Sequence, residues 1–595
     1  MIHRGPDSSG IWISDDSRVG FGHRRLSIID LSPAGNQPML DAERKIVIIL
    51  NGEIYNYKNL RKELISKGHI FKSSSDTETI ILSYKEWGVK CVDRFVGMFA
   101  FALYDLSTNK VFIARDRAGE KPLYYSLIND QLIFSSEIKG ILANPLFDRY
   151  IDYESLDLYL NIGYVPGERS ILKGINKLPP AHAIEYDAGK ASIKIWRYWD
   201  IPKHEANDFS NDILINRVEE ILSQSISDQL HADVPVGILL SGGVDSSLIT
   251  AIASKNAKNV KTFNISFPQF NNYDESKHAQ LISKYFGTEH FELSADDISP
   301  DIIDTLSNQY DEPIADSSMI PTYLVTNLIS KHCKVALGGD GGDEVFGGYN
   351  HYNRLLWMHA NLNWIPGRIR KLISATSKSI LPISLMGKNW IDALQYDLKN
   401  ELPLIGTFFD SKSRKKLIKK KYLNNLPLNS EKIVKSRVRD GWSLLHRSMI
   451  MDFENYMAED ILVKIDRASM LNSIELRAPF LDHRLIEHAF KNIPSNMKAT
   501  SKSRKIILKM LAKKLLPDNF DLKRKQGFSI PLDRWLKEPK WKNYFMDVLM
   551  DNDSLFNKNY VEKLFKQRNL GLKNNERLFS LVILEKWRKD YNVAL

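Results

Sequence analysis

The spacing of apolar positions changes at about residue 211. Before it, apolar residues come in short runs, 45–50, 98–104, 111–114 and 131–135, each bounded by turn residues. Such runs predict β-strands. Helical spacing interrupts them near 58–67 and 77–87. Residues 150–205 read as a connection, because Gly163-Tyr164-Val165-Pro166-Gly167 and Lys177-Leu178-Pro179-Pro180-Ala181 are turn-rich. Trp196-Arg197-Tyr198-Trp199 is an aromatic group suited to packing at a domain boundary. From 211 the pattern alternates. Leu214, Val218, Ile221, Leu222 and Ile226 lie at helical spacing. Runs at 236–240, 262–267, 290–293 and 334–337 predict strands, with helices at 248–253, 274–286 and from 301. Strands separated by such helices predict a parallel sheet covered on both faces, with ligands bound beyond its C-terminal strand ends. Residues 350–450 are helical and aromatic-rich and carry no readable motif.

Composition narrows the class. A chain of 595 residues, 43% hydrophobic and 26% charged, is an ordinary soluble enzyme of more than one domain. No apolar run is long enough to span a bilayer and Met1 opens no secretory signal, so a cytoplasmic location is expected. Cys91 and Cys333 are too few for a disulfide framework. The net charge of +10 raises nucleic acid or an anionic membrane as a partner. The basic runs 415–421 and 502–514 come without a nucleic-acid motif and read as solvated helix faces.

Two strand ends carry chemistry. After the strand 236–240 comes Ser241-Gly242-Gly243-Val244-Asp245-Ser246-Ser247. The glycines let backbone N–H groups close on an anion, and the helix that follows adds its positive end. An acid beside an anion implies a metal ion between them, which is the place of Asp245. After the strand 334–337 comes Gly338-Gly339-Asp340-Gly341-Gly342-Asp343-Glu344-Val345-Phe346-Gly347-Gly348-Tyr349. Its three carboxylates repel one another, and bound Mg²⁺ relieves that repulsion.

The first loop resembles the pyrophosphate loop of ATP pyrophosphatases of the asparagine synthetase type, and the second matches a loop of asparagine synthetases. No Gly-x-x-x-x-Gly-Lys-Ser/Thr signature is present. The resemblance implies that ATP is split between its α and β phosphates and that a carboxylate is activated as its adenylate. It implies Leu240, Ser241, Gly242, Gly243, Asp245, Ser246, Gly338 and Gly339 at ATP and pyrophosphate, Ile265 at the adenine, and Asp245 and Asp343 on Mg²⁺. Asp340 and Lys525 become the catalytic pair. Lys525, in Lys523-Arg524-Lys525-Gln526-Gly527-Phe528, aligns with a lysine that stabilises the pyrophosphate charge. Asp340 falls where many of these enzymes have a longer glutamate acting in the attack of ammonia. Related β-lactam-forming synthetases have a tyrosine there, so an acid points to ammonia as nucleophile. Glu475 and Arg477 read as a structural ion pair or as groups facing the acceptor carboxylate.

Nearer the N-terminus, His3-Arg4-Gly5-Pro6-Asp7, Gly22-His23-Arg24-Arg25, Asn51-Gly52-Glu53-Ile54-Tyr55-Asn56, Ser75-Asp76 and Arg115-Asp116-Arg117 each read singly as a turn. In this order they resemble the glutaminase domain of class II glutamine amidotransferases. That resemblance implies a glutamine site: Arg25 on the carboxylate, Asn51 and the Gly52 backbone as the oxyanion hole, Asp76 on the α-amino group, and Glu53 in the same set. The family's nucleophile is a cysteine a few tens of residues upstream of the His-Arg-Gly-Pro-Asp motif, and neither Cys91 nor Cys333 can replace it. As written, the chain is expected not to hydrolyse glutamine. A misplaced or truncated start and a genuine loss of activity both stay open.

The expected fold is an α+β N-terminal αββα sandwich of N-terminal-nucleophile type, truncated, over 1–205. An α/β doubly wound parallel-sheet ATP-pyrophosphatase domain with additional helices follows over 206–595. The expected activity is ATP-dependent amidation of aspartate to asparagine through a β-aspartyl-adenylate, releasing AMP and pyrophosphate. The nitrogen comes from glutamine, or from ammonia alone for the chain as written. A sugar uronic acid in polysaccharide synthesis as acceptor, or a non-catalytic binding homologue, are the alternatives. ATP and Mg²⁺ are the cofactors. Partners are small molecules, with no nucleic acid and no membrane, and a homodimer left open.

Overall fold

The structure, a computed structural model, describes residues 1–205, 208–267, 274–295, 298–523 and 530–595. It opens with a hairpin, β1 (Ser8–Ile13) and β2 (Gly20–Arg25). Then come β3 (Met39–Leu40), β4 (Ile46–Ile54), α1 (Tyr57–Ser66), α2 (Asp76–Trp87), β5 (Gly97–Asp105) and β6 (Lys110–Arg115). β7 (Tyr124–Ile128), β8 (Gln131–Ser135), α3 (Ile138–Ile141), α4 (Tyr153–Ile162), β9 (Asn176–Lys177), β10 (His182–Asp187) and β11 (Ser192–Arg197) complete the first half. Strands β11-β10-β6-β5-β4-β3 form one antiparallel sheet and β8-β7-β9 another.

Alternation along β5 explains the layering. Phe99, Phe101 and Leu103 enter one core with Leu60 of α1 and Ile80 of α2. Ala100, Ala102 and Tyr104, between them, enter a second core with Phe21 of β2 and Tyr125 of β7. Tyr124 faces the other way, toward Ile138 of α3 and Leu156 of α4. The order is helix, sheet, sheet, helix, the expected αββα sandwich. The expectation of a mere connection at 150–205 is corrected: α4 and β9–β11 lie there, and β10 pairs with β6 to widen the large sheet. Turn residues mask these elements, and β11 is an edge strand with little burial to pattern it. Trp196 stacks on Phe112 at 6.1 Å, and Trp199 donates to Glu487 in the second half at 2.7 Å.

The second half runs α5 (Asn211–Gln229), β12 (Val236–Leu239), α6 (Val244–Asn256), β13 (Lys261–Ser266), α7 (Ser276–Phe286) and β14 (Glu289–Ser294). Next come α8 (Ile302–Gln309), α9 (Met319–Ile329), β15 (Val335–Leu337) and α10 (Gly342–Phe346), and much later β16 (Glu475–Arg477). Every pairing in the order β14-β13-β12-β15-β16 is parallel. Helices α5–α7 share one core with Ile238, while Phe263 and Ile265 join α8 and α9 in the other, so the sheet is doubly wound. The strand order reverses between β12 and β15, and the loops after those strands open on one crevice. β16 is a second correction. No strand is predicted at 475–477, because a strand of three residues is too short to show a period.

A buried ionic network joins the halves. Arg4 holds Asp466 with two bonds of 2.7 and 2.8 Å and lies 3.0 Å from Glu137. Arg467 holds Asp466 at 2.7 Å and Asp311 at 3.1 Å. A buried charge stripped of its partner costs about 3–5 kcal/mol. Arg4→Met is therefore expected to lower stability in urea by about 3 kcal/mol. A change below about 0.5 kcal/mol would show that the network does not hold the halves.

Candidate active sites

The crevice is built by two loops in contact. Gly242 takes φ +73°, and a Cβ there would meet His278 Cβ at 2.5 Å, so only glycine turns the chain from β12 into α6. The first N–H groups of α6 are left pointing outward. Ser241 Oγ lies 3.1 Å from Ser246 Oγ at the mouth of this turn, and Leu240 is buried beneath it. The second loop is pinned to β16, because Gly338 N donates to Arg477 O at 2.8 Å. It presses on the first: a Cβ on Gly342 would meet Asp245 Cγ at 2.7 Å.

That contact brings Asp245 and Asp343 to one cation. Lys505 Nζ lies 2.7 Å from Asp343 Oδ1 and also donates to Asp245 Oδ2. Burial alone would depress this lysine, but the two carboxylates outweigh it and hold its ammonium above the ordinary lysine range. Lys505 escapes the sequence reading and corrects it. It belongs to the run 502–514, expected to be solvated, yet it is buried at a left-handed residue, φ +50°, before the helix Ile506–Leu515. A run of basic residues gives no sign of which lysine turns inward.

The third acid of the loop behaves differently. Burial, then the Asp343 charge, pushes the Glu344 carboxyl up to about 8, and Tyr349 donates to it. The pair Asp245 and Asp343 offers hard oxygens to one divalent ion. Mg²⁺ commonly uses one or two carboxylates and takes its other ligands from substrate phosphates and water. Among the described residues, no group of three or more His, Cys, Asp or Glu converges.

Asp340 is half-buried on the side of the first half. Burial raises its carboxyl above the usual range, against the pull of Lys464. It lines a small cavity with Glu120 and Lys121 of the first half and with Ser469 and Leu476. Ile265 lies near the C-terminal end of β13, the neighbour of β12, with its side chain buried in the core beside Phe263 and Phe267. Lys525 lies outside the described residues.

In the first half, Arg25, Asn51, Gly52, Glu53 and Asp76 all line one cavity of about 190 Å³. Arg25 reaches it from the end of β2, where the Ser32 and Ile29 carbonyls accept from it at 3.2 Å each. Asn51 and Gly52 lie within β4, longer than the expected strand. Asp76 opens α2 and accepts from Ile54 N at 2.9 Å. Burial, then the neighbouring Asp76, raises the Glu53 carboxyl well above the usual range. Burial pushes His23 down to about 4, leaving it neutral. Cys91 is buried in the helix-facing core, and Cys333 lies in the second half; neither lines this cavity. Met470 and Glu475 do line it, and their chain neighbours Ser469 and Leu476 line the cavity of Asp340. Arg477 binds Glu475 at 2.9 Å and lies 3.6 Å from Glu53. Glu475 and Arg477 are thus an ion pair at the boundary.

The profile of the asparagine synthase family matches residues 217–589, and that of a glutamine amidotransferase domain matches residues 1–199. The chain is similar to asparagine synthetase (glutamine-hydrolyzing) 1 of Bacillus subtilis, 32% identical over 99% of this chain and 92% of that one. It is likewise similar to asparagine synthetase (glutamine-hydrolyzing) 3 of the same organism, 32% identical over 93% and 88%. Amidase chyE of Penicillium rubens is 27% identical over 98% and 92%.

Glu344 supplies a test of the crevice electrostatics. Folding carries no penalty from it below about 4.5, a growing one as pH rises, and the full one above about 8. Stability is therefore expected to fall less steeply between these values in Glu344→Gln than in the parent. Equal slopes in thermal unfolding would contradict it.

Proposed function

This chain belongs to the asparagine synthetase family of carbon–nitrogen ligases, and on that premise we propose that it makes an amide from a carboxylate, ATP and ammonia. The observation that carries the reading is the convergence of Asp245 and Asp343 between a glycine loop and a helix start. In this reading Asp245 and Asp343 hold Mg²⁺. When bound, that ion neutralises the β and γ phosphates and stabilises departing pyrophosphate. The N–H groups at the start of α6, with Ser241 and Ser246, bind the same phosphates. Lys505, already held at the two carboxylates, adds positive charge at that point, and Lys525 is proposed to do likewise.

The acceptor carboxylate displaces pyrophosphate from the α-phosphate, which makes an acyl adenylate with AMP as a good leaving group. Ammonia then attacks the acyl carbon, the C–O bond to AMP breaks, and the surplus proton of the attacking nitrogen is taken up by a base. Asp340 is proposed for that base. Its raised pKa and its place beside the boundary cavity suit a proton acceptor met by ammonia from the first half. Arg25, Asn51, Gly52, Glu53 and Asp76 are proposed to bind glutamine, the family's nitrogen source, with ammonia supplying the nitrogen for the chain as written. The acid pair would take its ammonium group and Arg25 its carboxylate. Aspartate is the acceptor we propose, through a β-aspartyl-adenylate. A larger carboxylate, such as a sugar uronic acid, is the second reading, favoured by a cavity of about 520 Å³ beside Tyr349. Two domains dividing near 205, and a cytoplasmic enzyme, complete the proposal.

Purified chain with ATP, Mg²⁺, aspartate and ammonium is expected to release pyrophosphate, and Asp245→Asn to lower that rate at least about 100-fold. Unchanged release in the variant would remove Asp245 from the reaction.

A further inference from the structure

Two cavities in the second half meet, and their chemistry differs. The inner one, about 520 Å³, starts at the second loop: Tyr349 lines it, and so does Asp316, which binds Lys464 at 2.8 Å. Lys464 is also the cation whose field reaches Asp340. Asp452, Asp460 and Glu576 add further carboxyl groups, and Tyr164 and Tyr456 add ring faces. Among the described lining residues there is no lysine or arginine.

The outer cavity, about 970 Å³, has the opposite charge. Lys537, Arg568, Lys573 and Arg577 line it, against Asp533 and Glu576. Arg568 donates to the Asn575 side chain and the Asp533 carbonyl, and Arg577 to the carbonyls of Phe408 and Ile383. Neutral acceptors leave those charges in place. Lys537 and Lys573 are exposed within it. Ile405, Gly406 and Phe408, in the stretch 401–409 without helix or strand, line both cavities, as does Glu576 from the helix Asn575–Asp590. These shared residues set the acids and aromatic rings beside Tyr349 next to a cationic mouth.

Free aspartate is small for such a pair of cavities, since cavities of roughly 300–1,000 Å³ enclose drug-sized molecules. Carboxylates and ring faces suit hydroxyls or an amine on a partly apolar skeleton. Cations without a carboxylate partner suit phosphate. Resting on the ligase reading above, we propose that the acceptor is an extended carboxylate. Its reacting carboxyl lies at the two loops, a hydroxyl- or amine-bearing middle fills the inner cavity, and a phosphate group sits among Lys537, Arg568 and Lys573. The mouth also carries an apolar side chain: Met386 lines it and is 75% exposed. A phosphate on a soluble sugar and one on a lipid surface present the same group to it.

Equilibrium binding to the full chain tests this with glucuronic acid, glucuronic acid 1-phosphate and uridine diphosphate glucuronic acid. The two phosphorylated forms are expected to bind at least about tenfold more tightly than the free acid. The double variant Lys537→Glu, Lys573→Glu is expected to lose that margin, as is the charge-neutral pair Lys537→Met, Lys573→Met. Equal binding of glucuronic acid and its 1-phosphate would overturn the extended site. Vesicles of phosphatidylglycerol that displace the sugar nucleotide would support a lipid-borne phosphate; vesicles that fail to displace it would support a soluble one. If no acceptor supports pyrophosphate release while the binding margin persists, the ligase reading falls and the extended site stands.

Discussion

Two carboxylates forced together need a positive charge between them, and the crevice follows from that need. The strand order β14-β13-β12-β15-β16 sets the ends of β12 and β15 side by side. The loops leaving them carry Asp245 and Asp343. Coulomb repulsion at such a distance costs several kcal/mol inside a protein unless a cation intervenes. Lys505 supplies that cation in this structure, from the residue just before a helix far along the chain. Glycines at the contact let the loops approach, and the start of α6 makes the same place attractive to anions. The proposed role of this place, to hold a divalent ion together with phosphate, rests on that pairing.

The boundary between the halves is the second constraint. Arg4, Glu137, Asp466, Arg467 and Asp311 fix one half on the other with charges that only pair when both are folded. The helix that carries Asp466 and Arg467 also carries Ser469 and Met470, one lining the cavity of Asp340 and the other the cavity of Arg25 and Asp76. The charges that lock the interface therefore set the separation of the two sites. Arg477 repeats the theme, facing Glu53 across the boundary while its own strand pins the second loop.

Much of this was legible where chemistry is contiguous. The two loops read as cation and phosphate sites because glycine, serine and acid sit within a few residues, next to an apolar run. The residues proposed for glutamine were legible as ordered clusters, and all five line one cavity. What escaped was set by long-range pairing. Lys505 meets Asp245 across 260 residues, and Arg4 meets Asp466 across 462. No local pattern marks such partners. β16 is too short to show a period, and β10 and β11 lie among turn residues that dominate the local signal. Ile265 was named by resemblance alone, and its side chain lies in the core.

Asp245 and Asp343 are proposed to hold a divalent ion with pyrophosphate, with Lys505 as their counter-charge. Paramagnetic Mn²⁺, standing in for Mg²⁺, gives the most direct measurement: its affinity for the full chain in the presence of pyrophosphate, in the parent and in Asp343→Asn. The account predicts binding at least about tenfold weaker in the variant. Equal affinities would mean that Lys505 alone neutralises these carboxylates and that the ion, if it binds, binds elsewhere.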